Sequence, residues 1–238
     1  MNGKRMKWLG DIEGAVVNFY QAIKQSIICK SPVQNREPAM GLGGEIEIAV
    51  HDRDGNLIRS FKQPMHTFVE NAGKIIQAAF GQPCSVAVDF LIKDVLGNSY
   101  LIPYDMQANA GDYCATGGEG VDTHGIVVGT SDAAWSYTQY CLQAQITHGT
   151  GSGQLSYGAT TTQLVSDTGS PAKLTLQRSF DNNSGGDITV REIGWQLVGK
   201  DDGGNPRNFM IARDVITATT VPNGGRLTVT YNILINPS

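Results

Sequence analysis

The side chains that could do chemistry in this chain are scattered. His51, His66, His124 and His148 stand in four separate polar stretches, with no HxH or HxxxH pair to set two ligands on one face. Cys29, Cys84, Cys114 and Cys141 are far apart and never in CxxC spacing. They read as reduced, buried thiols of a chain made in a cytoplasm. The glycines of Gly149-Thr150-Gly151-Ser152-Gly153 are followed by Gln154-Leu155-Ser156, where a phosphate-binding loop would need Lys-Ser/Thr and a helix. Asp52-x-Asp54-Gly55 opens like a calcium loop, but its twelfth position is Gln63, not an acid. There is no G-x-S-x-G elbow. A carboxylate pair for glycoside cleavage would have to come from distant segments, and nothing singles out two. Trp195 is in phase with apolar neighbours and reads as core. Trp135 follows GTSDAA in a loop and is left open as a surface for stacking. No catalytic residue, metal or cofactor is expected.

The bulk composition agrees. Charged residues are 17%, below the roughly 25% of ordinary soluble domains, while glycine supplies 29 of 238 residues. Few charges and many turn formers suit an all-β protein. A net charge of −4 gives no field to gather nucleic acid. No run approaches the roughly 20 apolar residues of a membrane span. Asp11 and Glu13 interrupt the place where a signal peptide needs its apolar core, so secretion by that route is not expected.

Two domains are expected, an N-terminal helical arm with linker over 1–43 and a β-rich body over 44–238. In the arm, Ile12, Val16, Phe19, Tyr20, Ile23 and Ile27 recur at helical spacing, and SPVQNREPAMGLGG reads as a linker. A lone helix on a linker must bury its stripe, on its own body, on a neighbouring subunit or on a different protein; a membrane surface fits less well, because the polar face is not rich in Lys or Arg. The expectation taken forward is an assembly interface made by Ile12, Val16, Phe19, Tyr20 and Ile23. In the body, Glu45–Val50 alternates, and Asp54-Gly55 is a hairpin signal returning through Leu57–Phe61. Thr67–Phe80 reads as a helix capped by Thr67, with Phe68, Ala72, Ile75, Ile76 and Ala79 as its stripe. Strands are expected over 86–92, 100–102, 125–128, 137–148, 155–162, 208–216 and 227–235. Residues 103–124 form a long loop, expected to be ordered by a neighbour. This density of strands and turns means an antiparallel β-sandwich or jelly-roll-like barrel with one short internal helix.

The stretch Leu174–Leu197, LTLQRSFDNNSGGDITVREIGWQL, reads as two strands folded back on each other across a polar turn. On the second arm the inward parity switches between Val190 and Ile193. That requires either a bulge near Glu192 or a strand buried on both sides. A turn centred on Gly185 sets Arg178 opposite Glu192 among apolar neighbours. The pair is therefore expected as a buried ion pair, because neither charge is tolerable there alone.

The succession GIVVGTS (125–131), ITHGTGSGQLSYGA (146–159), RSFDNNSGGDITVREIGW (178–195), MIARDVI (210–216) and GGRLTVTYNILIN (224–236) resembles a group of tailed-bacteriophage virion structural proteins. EIEIAVHDRDGNLIRSFKQPMHTFVENAGKIIQAAF is similar to their N-terminal part, so the likeness spans about 45–236. The resemblance implies a non-enzymatic component of the tail, neck or adaptor region, made in the host cytoplasm and located in the virion. Its expected partners are other virion proteins, including copies of itself, with no nucleic acid bound by the β-body and no membrane. A capsid decoration or cement protein, or a receptor-binding fibre module, is the alternative, and a glycan hydrolase a more distant one. No catalytic residue is carried over.

Overall fold

The computed structural model describes residues 41–65, 68–80, 90–102, 113–165 and 172–236. The arm up to residue 40 lies outside these, and the last linker residues, from Gly41, already belong to the first strand. The elements are β1 (Gly41–His51), β2 (Leu57–Pro64), α1 (Glu70–Phe80), β3 (Phe90–Lys93), β4 (Ser99–Ile102), β5 (Gly125–Gly129), β6 (Ser156–Tyr157), β7 (Thr161–Val165), β8 (Ala172–Asp181), β9 (Ile188–Lys200), β10 (Pro206–Val221) and β11 (Arg226–Asn236). The protein is mainly β, with antiparallel sheets and one short helix. One sheet runs β2-β1-β11-β8-β6, with β7 also on β8; a second runs β10-β9-β5; β3 and β4 make a separate pair.

Alternation in the sequence becomes burial. Ile46, Ile48 and Val50 of β1 and Leu227, Val229, Tyr231 and Ile233 of β11 point into one core with Leu176 and Phe180 of β8. The second sheet contributes Val190, Ile193, Phe209, Met210 and the consecutive Ile126, Val127 and Val128. Two sheets whose inward residues are this apolar hide them by sharing that core. Side chains also cross from one sheet to the other: Tyr231 Oη donates to Asp214 at 3.1 Å, Gln63 to the Val215 carbonyl at 3.3 Å, and Arg59 to that of Ala218 at 2.9 Å.

Three hairpins close on one turn written three times. Asp52–Asn56, Asp94–Asn98 and Asp201–Asn205 all read D-x-x-G-N. In each, the Asp Oδ1 accepts the N–H of the Asn four residues on, at 2.8–2.9 Å. The Asp and Asn backbones pair at 2.9 Å in each. The intervening Gly55, Gly97 and Gly204 sit at φ of 84°, 87° and 79°, where a side chain would be strained.

The hairpin expected over Leu174–Leu197 does not exist. β8 pairs with β11, β7 and β6, while β9 pairs with β10 and β5, so the polar turn is a link between sheets. Pro222–Gly225 is a second such link, and the two lie side by side. Asn182 N donates to the Gly225 carbonyl at 2.9 Å, and Gly224 N to that of Asn182 at 2.7 Å. The Asn182 carboxamide, fully buried, donates to the carbonyls of Gly186 and Val221, both at 2.8 Å. Of the two expected causes of the parity switch, the structure shows the second. β9 is buried on both sides from Glu192 to Leu197, and the bulge lies on its partner β10, between Val215 and Thr219.

Two further expectations change. The helix begins at Glu70, because Phe68 and Val69 are held as a bridge to β10, with Val69 N donating to the Ile211 carbonyl at 3.0 Å. Ile76, assigned to its stripe, is 38% exposed. Residues 137–148 form no strand. Only isolated bridges form there, Gln145 to Gly129 and His148 to Leu155, and Leu142 and Ile146 are buried.

Candidate functional site

The assembly residues Ile12, Val16, Phe19, Tyr20 and Ile23 lie outside the described residues. Arg178 and Glu192 are both inside the protein, 1% and 0% exposed, but they do not pair. They belong to different sheets, since the expected hairpin is absent, and each anchors its own network.

Arg178 leaves β8 into a cage of backbone carbonyls. Nε donates to Gly158 at 2.7 Å, Nη1 to His124 at 3.1 Å and Ile126 at 2.9 Å, and Nη2 to Gly118 at 2.9 Å and Val121 at 2.5 Å. All five N–H groups of a guanidinium are thereby used. The Tyr157 ring centre lies 4.8 Å from the guanidinium carbon, within cation–π range. Burial lowers the Arg178 pKa to about 10, so the charge persists at neutral pH. Burial likewise raises that of Tyr157, whose hydroxyl stays protonated and donates to the Ile146 carbonyl at 2.5 Å. The described part of the long loop, residues 113–124, is thus ordered from inside the chain.

Glu192 pairs with Arg213 of β10, Oε2 to Nε at 2.7 Å, both side chains 0% exposed. Its oxygens also accept Ala144 N at 2.7 Å and Gln143 N at 3.1 Å. Those two amides are diverted from any ladder, which is why 137–148 is not a strand. Gly129 makes room for the carboxylate, since a Cβ there would come within 2.5 Å of Glu192 Oε1. Arg213 reaches the other half of the same loop, Nη2 to the Ala133 carbonyl at 2.9 Å and Nη1 to Gln139 Oε1 at 3.1 Å. A buried ion pair is a weak source of net stability. Here it fixes a loop that carries Trp135, 38% exposed. Trp195, by contrast, is core, with Nε1 on the Ala115 carbonyl at 3.3 Å.

Outward-facing apolar side chains gather on the β3–β4 pair. Leu91 and Leu101 are direct cross-strand partners, 52% and 37% exposed, and Leu96 at the turn is 80% exposed. The opposite face buries Ile92 and Ile102 at 0% and 1%. Both edges are held. Asn71 of α1 brackets Lys93, Nδ2 to its carbonyl at 2.7 Å and Oδ1 from its N–H at 3.3 Å. Lys74 Nζ bonds the Leu91 carbonyl at 2.8 Å, and Asp202 N bonds that of Leu101 at 2.9 Å. The Arg207 guanidinium stacks 3.9 Å from the Tyr100 ring centre. The leucines therefore stand on a fixed platform, and their spacing in FLIKDVLGNSYLI is the sequence signal for it.

The histidines are not brought together. His51 ends β1, His148 Nδ1 accepts the Tyr157 N–H at 3.1 Å, and His124 has its pKa lowered by burial and by Arg178. His66 lies outside the described residues. Cys114 and Cys141 are free, and burial, then the Glu192 charge, pushes the Cys141 thiol up. The glycine loop at 149–153 closes on itself, with Gln154 Oε1 accepting Gly151 N at 3.0 Å. The Asp52 carboxylate, expected in the turn, binds its own backbone. Among the described residues no group of three or more His, Cys, Asp or Glu is placed to hold a metal ion, and no helix is long and apolar enough to cross a membrane. The chain matches no protein-family model, no curated protein and no solved structure.

Proposed function

We propose that this chain is a non-enzymatic structural component of a phage particle, assembling through protein contacts in the tail, neck or adaptor region. The observation that carries the reading is the leucine face of β3–β4. Single exposed apolar residues are ordinary, but a clustered set on a braced surface marks a contact site. Its occupant is a second copy of the chain, as in most oligomers, which are built from identical subunits. The fold is read more finely as a two-layer β-sandwich, supported by the side chains that cross between the sheets. The arm, through Ile12, Val16, Phe19, Tyr20 and Ile23, supplies a further contact to a neighbouring subunit. The sequence resemblance gives the particle. Buried Arg178, Glu192 and Arg213 support a structural role, since their polar atoms are engaged in holding loops.

The test joins two measurements. Mass spectrometry of purified particles should find the chain at a fixed stoichiometry. Sedimentation of the full chain should show a closed oligomer that Leu91→Asp with Leu101→Asp dissociates at an unchanged melting temperature. Absence from particles, or a wild type that stays monomeric, would overturn the reading. Trp135 favours a second reading, a receptor-binding module, because a rigidly held aromatic is a natural platform for a sugar ring or a protein hot spot. Binding to a glycan array, lost in Trp135→Ala, would select it.

A further inference from the structure

Where the β1–β2 turn rises beside the ends of β8 and β11 there is a polar basin of about 460 Å³. Its two carboxylates are already engaged. Asp52 Oδ1 takes the N–H groups of Asp54 and Asn56, both at 2.9 Å, and Oδ2 takes Asn56 Nδ2 at 3.0 Å. Asp181 is held by Arg226 with two parallel bonds, Nε to Oδ1 at 2.5 Å and Nη2 to Oδ2 at 3.0 Å. Donors are what remain. Arg226 keeps Nη1, and Arg53 and His51, two further lining residues, have side chains with no partner among the described residues. The Arg53 stem lies along Gly224, where a Cβ would come within 3.1 Å of its Cγ and Cδ. That contact aligns the side chain with the basin wall.

From this imbalance we propose that the basin binds a small oxyanion, a carboxylate or a phosphoryl group, between Arg53, the free edge of Arg226 and His51. A planar guanidinium offers paired N–H groups that match two oxygens of such a ligand. A cationic ligand would meet only occupied carboxylates and two arginines. Arg226 is aligned by Asp181 before any ligand arrives, which lowers the ordering cost of binding. The site is independent of the assembly reading, because neither the leucine face nor the arm contributes to it.

The experiment titrates the ¹⁵N-labelled full chain with inorganic phosphate and, separately, with acetate at constant ionic strength. Amide and Arg side-chain N–H signals are followed. Saturable shifts are expected at Arg53, Gly55, Gly224 and Thr228, weakened at least tenfold in Arg53→Gln and kept in the control Arg191→Gln. Stronger binding of phosphate marks a phosphoryl ligand, and equal or stronger binding of acetate marks a carboxylate. Absence of saturable shifts, or shifts that survive Arg53→Gln, overturns the proposal. So do equal shifts at arginines across the whole surface, which report a diffuse ion atmosphere.

Discussion

Replacing Arg178 tests whether one buried guanidinium holds the loop from Gly117 to Ile126. Its five N–H groups meet five carbonyls at 2.5 to 3.1 Å. In Arg178→Lys the charge stays but at most three donors remain. At least two carbonyls are then left without this partner, at about 1–3 kcal/mol for each that water cannot reach. Gly118 is exposed and Val121 half-buried, so part of that loss is recovered by hydration. The expected net loss for Lys is about 2–3 kcal/mol. Arg178→Met removes every donor and the cation, but it also removes the cost of burying a charge, which is several kcal/mol. Its expected loss is about 3–5 kcal/mol, a large part of the 5–15 kcal/mol that holds a typical domain together. Denaturant unfolding at pH 7 measures the total. Hydrogen exchange at residues 117–126 and 158 locates it, and protection there should fall in both variants while β11 stays protected. If both variants unfold within about 0.5 kcal/mol of wild type and exchange is unchanged, the carbonyl cage is not what orders the loop. The same structure removes the coupling first expected between Arg178 and Glu192. The double variant should lose the sum of the singles, as for sites with no shared partner.

The Glu192–Arg213 pair should behave in the opposite way. Glu192→Ala or Arg213→Ala should each cost about 3–5 kcal/mol, because each leaves a buried charge alone, and the double variant should cost clearly less than the sum. Tryptophan emission from the 133–144 loop should shift in all three. At the link between sheets, Asn182→Asp would aim a carboxylate at the carbonyls of Gly186 and Val221 and remove two donors. A loss of about 3 kcal/mol or more is expected at neutral pH, and a melting temperature equal to wild type would show that this carboxamide does not join the links. In the D-x-x-G-N turns, the Asp52 carboxyl is held below its ordinary 3.8, first by the Asn56 side chain, and Asp201 likewise, first by the Asn205 backbone N–H. Carboxyls depressed in the folded state contribute stability that is complete above pH 3.8 and lost as pH falls through the folded values. Asp52→Asn with Asp201→Asn should therefore flatten the fall in melting temperature between pH 5 and pH 2, and an unchanged slope would discount the turns as a source of acid sensitivity.

What was legible in the sequence was whatever a short window decides. β11 keeps Leu227, Val229, Tyr231 and Ile233 in the core as the alternation predicts, because period 2 is a property of the strand itself, although Thr230 and Asn232 between them are buried as well. The burial of Arg178 and Glu192 was also legible, since each stands among apolar neighbours on a strand. Their partners were not. A guanidinium is satisfied by carbonyls or by a carboxylate, and only the packing of Gly118, Val121, His124 and Gly158 around β8 selects the first. Strand pairing failed for the same reason. β8 meets β11 with Asp181 beside Arg226, 45 positions apart in sequence, and no local rule ranks that partner above the next strand along the chain.

The missed link carried a local signal all the same. Asn182-Asn183-Ser184-Gly185-Gly186 copies the three hairpin turns in its spacing. An Asx residue opens it, Ser184 N bonds Asn182 Oδ1 at 3.1 Å, and Gly185 takes φ 88° three residues on. The difference is one functional group. In each hairpin turn a carboxylate accepts the N–H four residues later and, having no hydrogen to give, cannot reach a carbonyl of another strand; outside its own turn Asp201 adds only a bond accepted from Arg207 Nε at 2.9 Å. In the link a carboxamide turns its NH₂ to the Gly186 carbonyl and, with its second hydrogen, to Val221 at the end of another strand. An acceptor-only side chain ends a hairpin; one that also donates can tie the turn to a neighbouring strand. Among these four turns, Asp opens the three that return within a sheet and Asn the one that crosses between two; Asp122-Thr123-His124-Gly125 shares the spacing, with Gly125 at φ 85°, and leads a loop into β5.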